Sequence, residues 1–141
     1  MKSLPIILVS SFILFSCSNS KHISLPERKS NAIAGNEFYK SVFAIIRVER
    51  ENLAKYEILI GNVPAFLRTM VKIKTSVTSD DSKIIRACYF VTPDYFSIGA
   101  DNPLARIPLT PMTAQKIADS LHCFRPTRKM VNDIYRAAKV K

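Results

Sequence analysis

The sequence predicts an α+β domain with an N-terminal helical segment, an antiparallel hairpin or small sheet, and two C-terminal helices. Three observations carry that prediction. Apolar residues recur at three- and four-residue spacing between residues 36 and 60, as an amphipathic helix requires. Period-two alternation then takes over in "MVKIKTSV", the mark of a half-buried strand. Near the end, Thr110 stands where a helix N-cap belongs, ahead of a run with helical periodicity, and a second such run starts at Thr127.

The first element lies in "NEFYKSVFAIIRVERENLAKYEILIGN". Phe38, Val42 and Ile45 or Ile46 share one face, and Leu53, Tyr56 and Ile60 continue the pattern. One helix and two helices with a bend near Arg47 both fit. Gly61-Asn62 supplies a left-handed stop, and Pro64 prevents resumption. In the next segment Val71, Ile73, Thr75 and Val77 alternate with Lys72, Lys74 and Ser76. "TSDDS" is a turn, and "KIIRACYFV" returns with Ile85, Ala87, Tyr89 and Val91 on one face and Ile84, Arg86, Cys88 and Phe90 on the other. Two short strands follow around "YFSIG" and "ARIPL". Thr110-Pro111 opens a helix with Ala114, Ile117, Ala118 and Leu121 on one face. The last helix begins at Thr127. Met130, Val131, Ile134, Tyr135 and Ala138 fill one half of its surface, and Arg128, Lys129, Arg136 and Lys139 the other.

Ahead of this domain, which runs over 36–141, the chain divides twice. Residues 1–16 have a basic Lys2 and the apolar run "LPIILVSSFILF", shorter than the roughly twenty residues a membrane-spanning helix needs. That pattern describes an export signal. Residues 17–35, starting at Cys17 and rich in Ser, Asn and Lys, read as a flexible tether, so His22 within it leaves the list of catalytic candidates. The seam "ILFSC" resembles the lipobox of bacterial lipoproteins: Leu14 stands three before the cysteine, Ser16 just before it, and Cys17 would be the first mature residue. The resemblance implies acylation of Cys17 and cleavage ahead of it. It also implies a membrane-anchored chain on the periplasmic side or the cell surface. Ser18 is not an acidic retention residue, so the outer membrane is favoured where two membranes exist. Several acyl chains give the durable anchoring that one alone does not.

The chain has 141 residues with 21 Lys and Arg against 11 Asp and Glu, a formal charge of +10. A basic exported domain points to anionic lipid headgroups or cell-wall polymer as partners rather than nucleic acid. The Arg128, Lys129, Arg136, Lys139 face is the expected contact.

Signs of chemistry are sparse. Nucleophilic catalysis needs a thiol or hydroxyl beside a base. The domain offers Cys88, Cys123 and one histidine, His122. Cys88 with His122 is the weak catalytic candidate, against the plain reading of Cys88 as a free cysteine buried in an apolar strand. Export to an oxidising compartment also allows a Cys88–Cys123 disulfide. No metal-ligand spacing is present, no cofactor motif is found, and three glycines make no phosphate loop. Asp80-Asp81 suits a hairpin turn, and Asp94 and Asp101 read as turn formers.

Four strings, "GNVPAFLR", "DYFSIGAD", "RIPLTPMTAQKIADSL" and "PTRKMVNDIY", are together similar to the N-terminal portion of a family of uncharacterised exported bacterial proteins. The resemblance brings no biochemical role. It implies a longer chain with a histidine-containing second half, so that this one is a shortened member or gene fragment. The expected function is a lipid-anchored envelope protein acting by binding or as an accessory. The alternative is a hydrolase of cell-wall material, inactive if shortened.

Overall fold

The computed structural model describes residues 20–138. The leader 1–16, Cys17 and Lys139 lie outside the described residues. Within them the order is α1 (Gly35–Val42), α2 (Arg47–Leu59), a 3-10 turn (Ala65–Arg68), β1 (Val71–Thr78), β2 (Ile84–Val91), β3 (Ser97–Gly99), β4 (Leu104–Arg106), α3 (Pro111–Ser120) and α4 (Arg128–Ala137). This is the α+β arrangement that the periodicity predicts, with the hairpin in the middle and two helices at the end.

The N-terminal helical segment is two helices. Ile46 is extended, with φ −61° and ψ 151°, and interrupts the helical path just ahead of Arg47. Phe38 and Val42 of α1 are buried, and Ile45 rather than Ile46 packs on the core, Ile46 being 66% exposed. In α2 the buried face is not the expected one. Leu53 and Tyr56 are exposed, while Glu51, Ala54 and Ile58 point inward. Small Ala54 lets α2 sit close, and Glu51 is tolerated because α3 satisfies it.

β3 and β4 pair antiparallel, with Ile98 opposite Ala105. Their inward side chains join Phe38, Val42, Ala54, Ile58, Val63, Ile107 and Ile117 in one apolar cluster. Burying a side chain of the size of Ile58 or Ile98 contributes about 1.5–3 kcal/mol. α2 ends where the sequence predicts. Gly61 has φ +87°, and a Cβ there would lie 2.0 Å from the Pro26 carbonyl oxygen, so the position demands glycine.

That contact reveals a correction. Residues 20–35, expected to form part of a tether, are laid along the domain. Arg68 donates through Nη1 to the Leu25 carbonyl at 3.2 Å and through Nη2 to the Pro26 carbonyl at 2.7 Å. Arg28 Nε donates to Asn62 Oδ1 at 2.8 Å, and Ile23 is buried. His22 makes a β-bridge with Thr69. A polar composition read as loose chain hid two arginines able to satisfy its backbone carbonyls, which is what a buried loop needs.

β1 and β2 form an antiparallel hairpin with Val71 opposite Val91 and Thr78 opposite Ile84. Ser79 N donates to the Lys83 carbonyl at 2.9 Å and closes the turn. α4 lies against β1.

Candidate functional site

Residues directly opposite in an antiparallel pair share a face. The register therefore sorts the hairpin into two sides. Val71, Ile73, Thr75 and Val77 with Val91, Tyr89, Ala87 and Ile85 form the inner face. Lys72, Lys74, Ser76 and Thr78 with Phe90, Cys88, Arg86 and Ile84 form the outer one.

α4 touches the inner face through a few specific contacts, and Val71, Val77 and Ile85 on that face stay exposed. Thr75 Oγ1 donates to Asp133 Oδ2 at 2.7 Å, and the Tyr89 hydroxyl donates to the Met130 carbonyl at 3.2 Å. Lys129 Nζ reaches both Thr75 Oγ1 and Asp133 Oδ2 at 2.7 Å. Hydrogen bonds from Lys129 and Thr75 hold the Asp133 carboxyl below the usual aspartate range. Burial pushes the Tyr89 hydroxyl up, and the negative charge of Asp133 adds to that. Thr127 caps α4 by accepting from Met130 N.

These contacts alter the expected basic face of α4. Lys129 is turned toward the hairpin and neutralised by Asp133, and Arg136 Nη1 lies 3.8 Å from the same carboxylate. Of the three described cations, Arg128 alone lacks a carboxylate partner among the described residues.

The outer hairpin face is the opposite case. Lys72, Lys74 and Arg86 are all exposed, neither strand contains an acidic residue, and none of the three forms an ion pair among the described residues. A fourth cation joins them from the N-terminal segment. Met70 N donates to the Lys21 carbonyl at 2.8 Å, which sets Lys21 beside the start of β1. Its ammonium sits 5.2 Å from the centre of the Phe90 ring, and Lys72 Nζ approaches the same ring at 5.9 Å. Both are within cation–π range. At the hairpin tip, Lys83 is paired with Asp81 at 2.8 Å and adds no free charge. The result is a four-cation face, with Lys21 and Lys72 at the Phe90 ring and Lys74 and Arg86 further along the hairpin. Sequence reading treated Lys72 and Lys74 only as the wet side of a strand, and the alternation did signal that they share a side.

The catalytic candidates are not brought together. Cys88 is exposed on the outer face rather than buried in an apolar strand. The strand is one of only two, so its second side has nothing to cover it. His122 follows α3 with φ 52°. Its N–H donates to the Asp119 carbonyl at 3.2 Å, and Cys123 N donates to the Ala118 carbonyl at 2.8 Å. This is the Schellman ending of a helix, with histidine in the place glycine usually takes. No hydrogen bond joins Cys88 and His122 among the described residues. The two domain cysteines are free thiols rather than a disulfide, and Cys123 Sγ donates to the Leu121 carbonyl at 3.3 Å.

The remaining acids have structural partners. Asp94 is bound by the Arg106 guanidinium, which holds its carboxyl below the usual range. Asp101 Oδ1 accepts from Ala65 N at 2.7 Å and caps the 3-10 turn. Glu51, buried to 5% exposure, accepts from Thr110 N at 3.2 Å, from Thr110 Oγ1 at 2.6 Å and from Thr113 Oγ1. Burial raises its pKa, but the hydrogen bonds from Thr110 and Thr113 outweigh that and leave it lowered. Among the described residues, no group of three or more His, Cys, Asp and Glu is placed to hold a metal ion.

A cleft of about 220 Å³ between residues 29–33 and α2 is lined by Ile33, Tyr56, Glu57 and Asn62. Asn62 Nδ2 is already committed to the Ile33 carbonyl at 2.9 Å and to Glu57 Oε2 at 2.7 Å. It is smaller than a usual ligand pocket. The uncompensated outer hairpin face is thus the better candidate. No family model, no curated protein and no solved structure matches the chain.

Proposed function

We propose that this protein is an exported, lipid-anchored envelope protein whose domain works by binding an anionic surface or polymer. The leader and Cys17 in the sequence support the anchoring. The observation that carries the binding reading is the outer hairpin face, where Lys72, Lys74 and Arg86 stand together without a carboxylate. Like charges placed side by side on a sheet are mutually unfavourable. A bound anion relieves that cost, and the face is too flat to favour a small enclosed ligand. The wall-hydrolase reading lacks a nucleophile–base pair among the described residues.

Intact-mass spectrometry of protein purified from membranes tests the anchoring. The expected chain begins at an acylated Cys17, and Cys17→Ser leaves the leader attached and the lipid absent. A chain that retains Met1 and gains no lipid overturns the reading.

A further inference from the structure

We infer that the outer hairpin face is the surface on which the domain lies against an anionic lipid bilayer, its occupant being the phosphate headgroups around its own anchor. This rests on the anchoring proposed above and names the partner of the basic face. The expectation from the sequence was that α4 would make this contact. Three observations move it to the hairpin.

Charge is the first. Lys129 and Arg136 of α4 share the Asp133 carboxylate, whereas Lys21, Lys72, Lys74 and Arg86 have no carboxylate partner among the described residues. Each such cation near an anionic leaflet adds to surface attraction, and four on one side add together. Shape is the second. The four cations, with Ser76 and Phe90, lie on the side of a two-stranded sheet opposite the one α4 touches, so they present a plane rather than a pocket. A plane suits a bilayer.

Reach is the third. Lys21 is bound beside β1 and lies over Phe90, and it stands only four positions after Cys17 in the sequence. Four residues of chain extend at most about 14 Å. An acylated Cys17 thus holds this face within a short distance of the headgroups. α4 packs on the other side of the hairpin, where Lys129 turns toward Thr75 and Asp133.

Cys88 provides a reporter already present on the face, opposite Lys74, and Cys123 an internal reference at the end of α3. The full lipidated chain is inserted into preformed vesicles of neutral phosphatidylcholine or of phosphatidylcholine with phosphatidylglycerol. Both thiols are then labelled with a membrane-impermeant maleimide and quantified by peptide mass spectrometry. The expected result is a Cys88 rate lower by about tenfold on anionic vesicles, recovered in about 1 M salt where the screening length is near 3 Å, with Cys123 unchanged. Lys72→Gln/Lys74→Gln/Arg86→Gln restores labelling on anionic vesicles, and Lys72→Arg/Lys74→Arg keeps the protection. Arg128→Gln/Arg136→Gln has no effect.

Equal Cys88 rates on both vesicle types, in a chain whose mass shows acylated Cys17, overturn the face assignment and leave the anchoring intact. A mass without lipid overturns the anchoring and the assignment built on it. Equal protection on neutral vesicles by added inorganic polyphosphate overturns the bilayer in favour of a soluble polyanion.

Discussion

In the body built from α1, α2, β3, β4 and α3, every element contributes to one apolar cluster, whereas the hairpin buries Ile73 alone and α4 buries no residue fully. The body is specified by exclusion of water from a shared interior. The hairpin and α4 are specified by register, an N-cap and a small set of polar contacts around Thr75, Tyr89 and Asp133. A region held in this second way covers the inner side of its sheet only in part and leaves the outer side bare. That side is free to carry charge, because nothing there has to be desolvated for the fold to form. The difference separates the stability of the protein from the surface that gives it a role.

The comparison breaks most visibly in the body. Ile58→Ala removes a fully buried side chain from the centre of the cluster and is expected to cost about 2–5 kcal/mol in denaturant unfolding. A loss below about 1 kcal/mol would mean that the cluster is not the source of cohesion.

Glu51→Gln should come next, at about 1–3 kcal/mol, since the Thr110 and Thr113 donors lose their charged acceptor in a buried place. Its pH dependence is the sharper measurement. The folded-state pKa of Glu51 lies below its unfolded value. Its contribution is therefore present above the ordinary carboxylate range and is lost as pH falls through the lowered value. The wild-type chain should lose stability in acid more steeply than Glu51→Gln does, and parallel acid limbs would remove Glu51 from the account.

A smaller, local effect is expected for Asp133→Asn. Its carboxyl is also held below the usual range, by Lys129 and Thr75, so its support of the hairpin likewise fades on acidification. Amide hydrogen exchange in β1 and β2 should quicken while exchange in α2 stays unchanged. Coupled acceleration in both regions would show one cooperative unit instead of two. The smallest stability change belongs to Lys74→Gln, within about 0.5 kcal/mol, because an exposed cation without a partner supports nothing in the fold. A larger loss of stability would make the outer face structural.

Much of this architecture is readable locally. The alternation of "MVKIKTSV" and "KIIRACYFV" gives the hairpin and its two faces, and "TSDDS" gives its turn. Thr110-Pro111 and Thr127 mark the starts of α3 and α4, and Gly61 marks the end of α2. Each rests on backbone chemistry within a few residues. The misreadings share a different cause. Ala54 and Glu51 look like poor core residues until α3 approaches with two hydroxyls and a backbone N–H. Residues 20–35 look loose until Arg28 and Arg68 hold them from a distance in the sequence. Cys88 looks buried because its neighbours are apolar, yet no second layer covers its side of the sheet.

The sequence by itself determined the order of helices and strands and the two faces of the hairpin, because periodicity, capping and turn chemistry act over a few positions. Only the tertiary structure decided which cations stay unpaired. Asp133 reaches Lys129 and Thr75 across two elements, and Lys21 meets Phe90 from 69 positions away. Electrostatic compensation depends on distance in space, and the chain must fold before that distance exists.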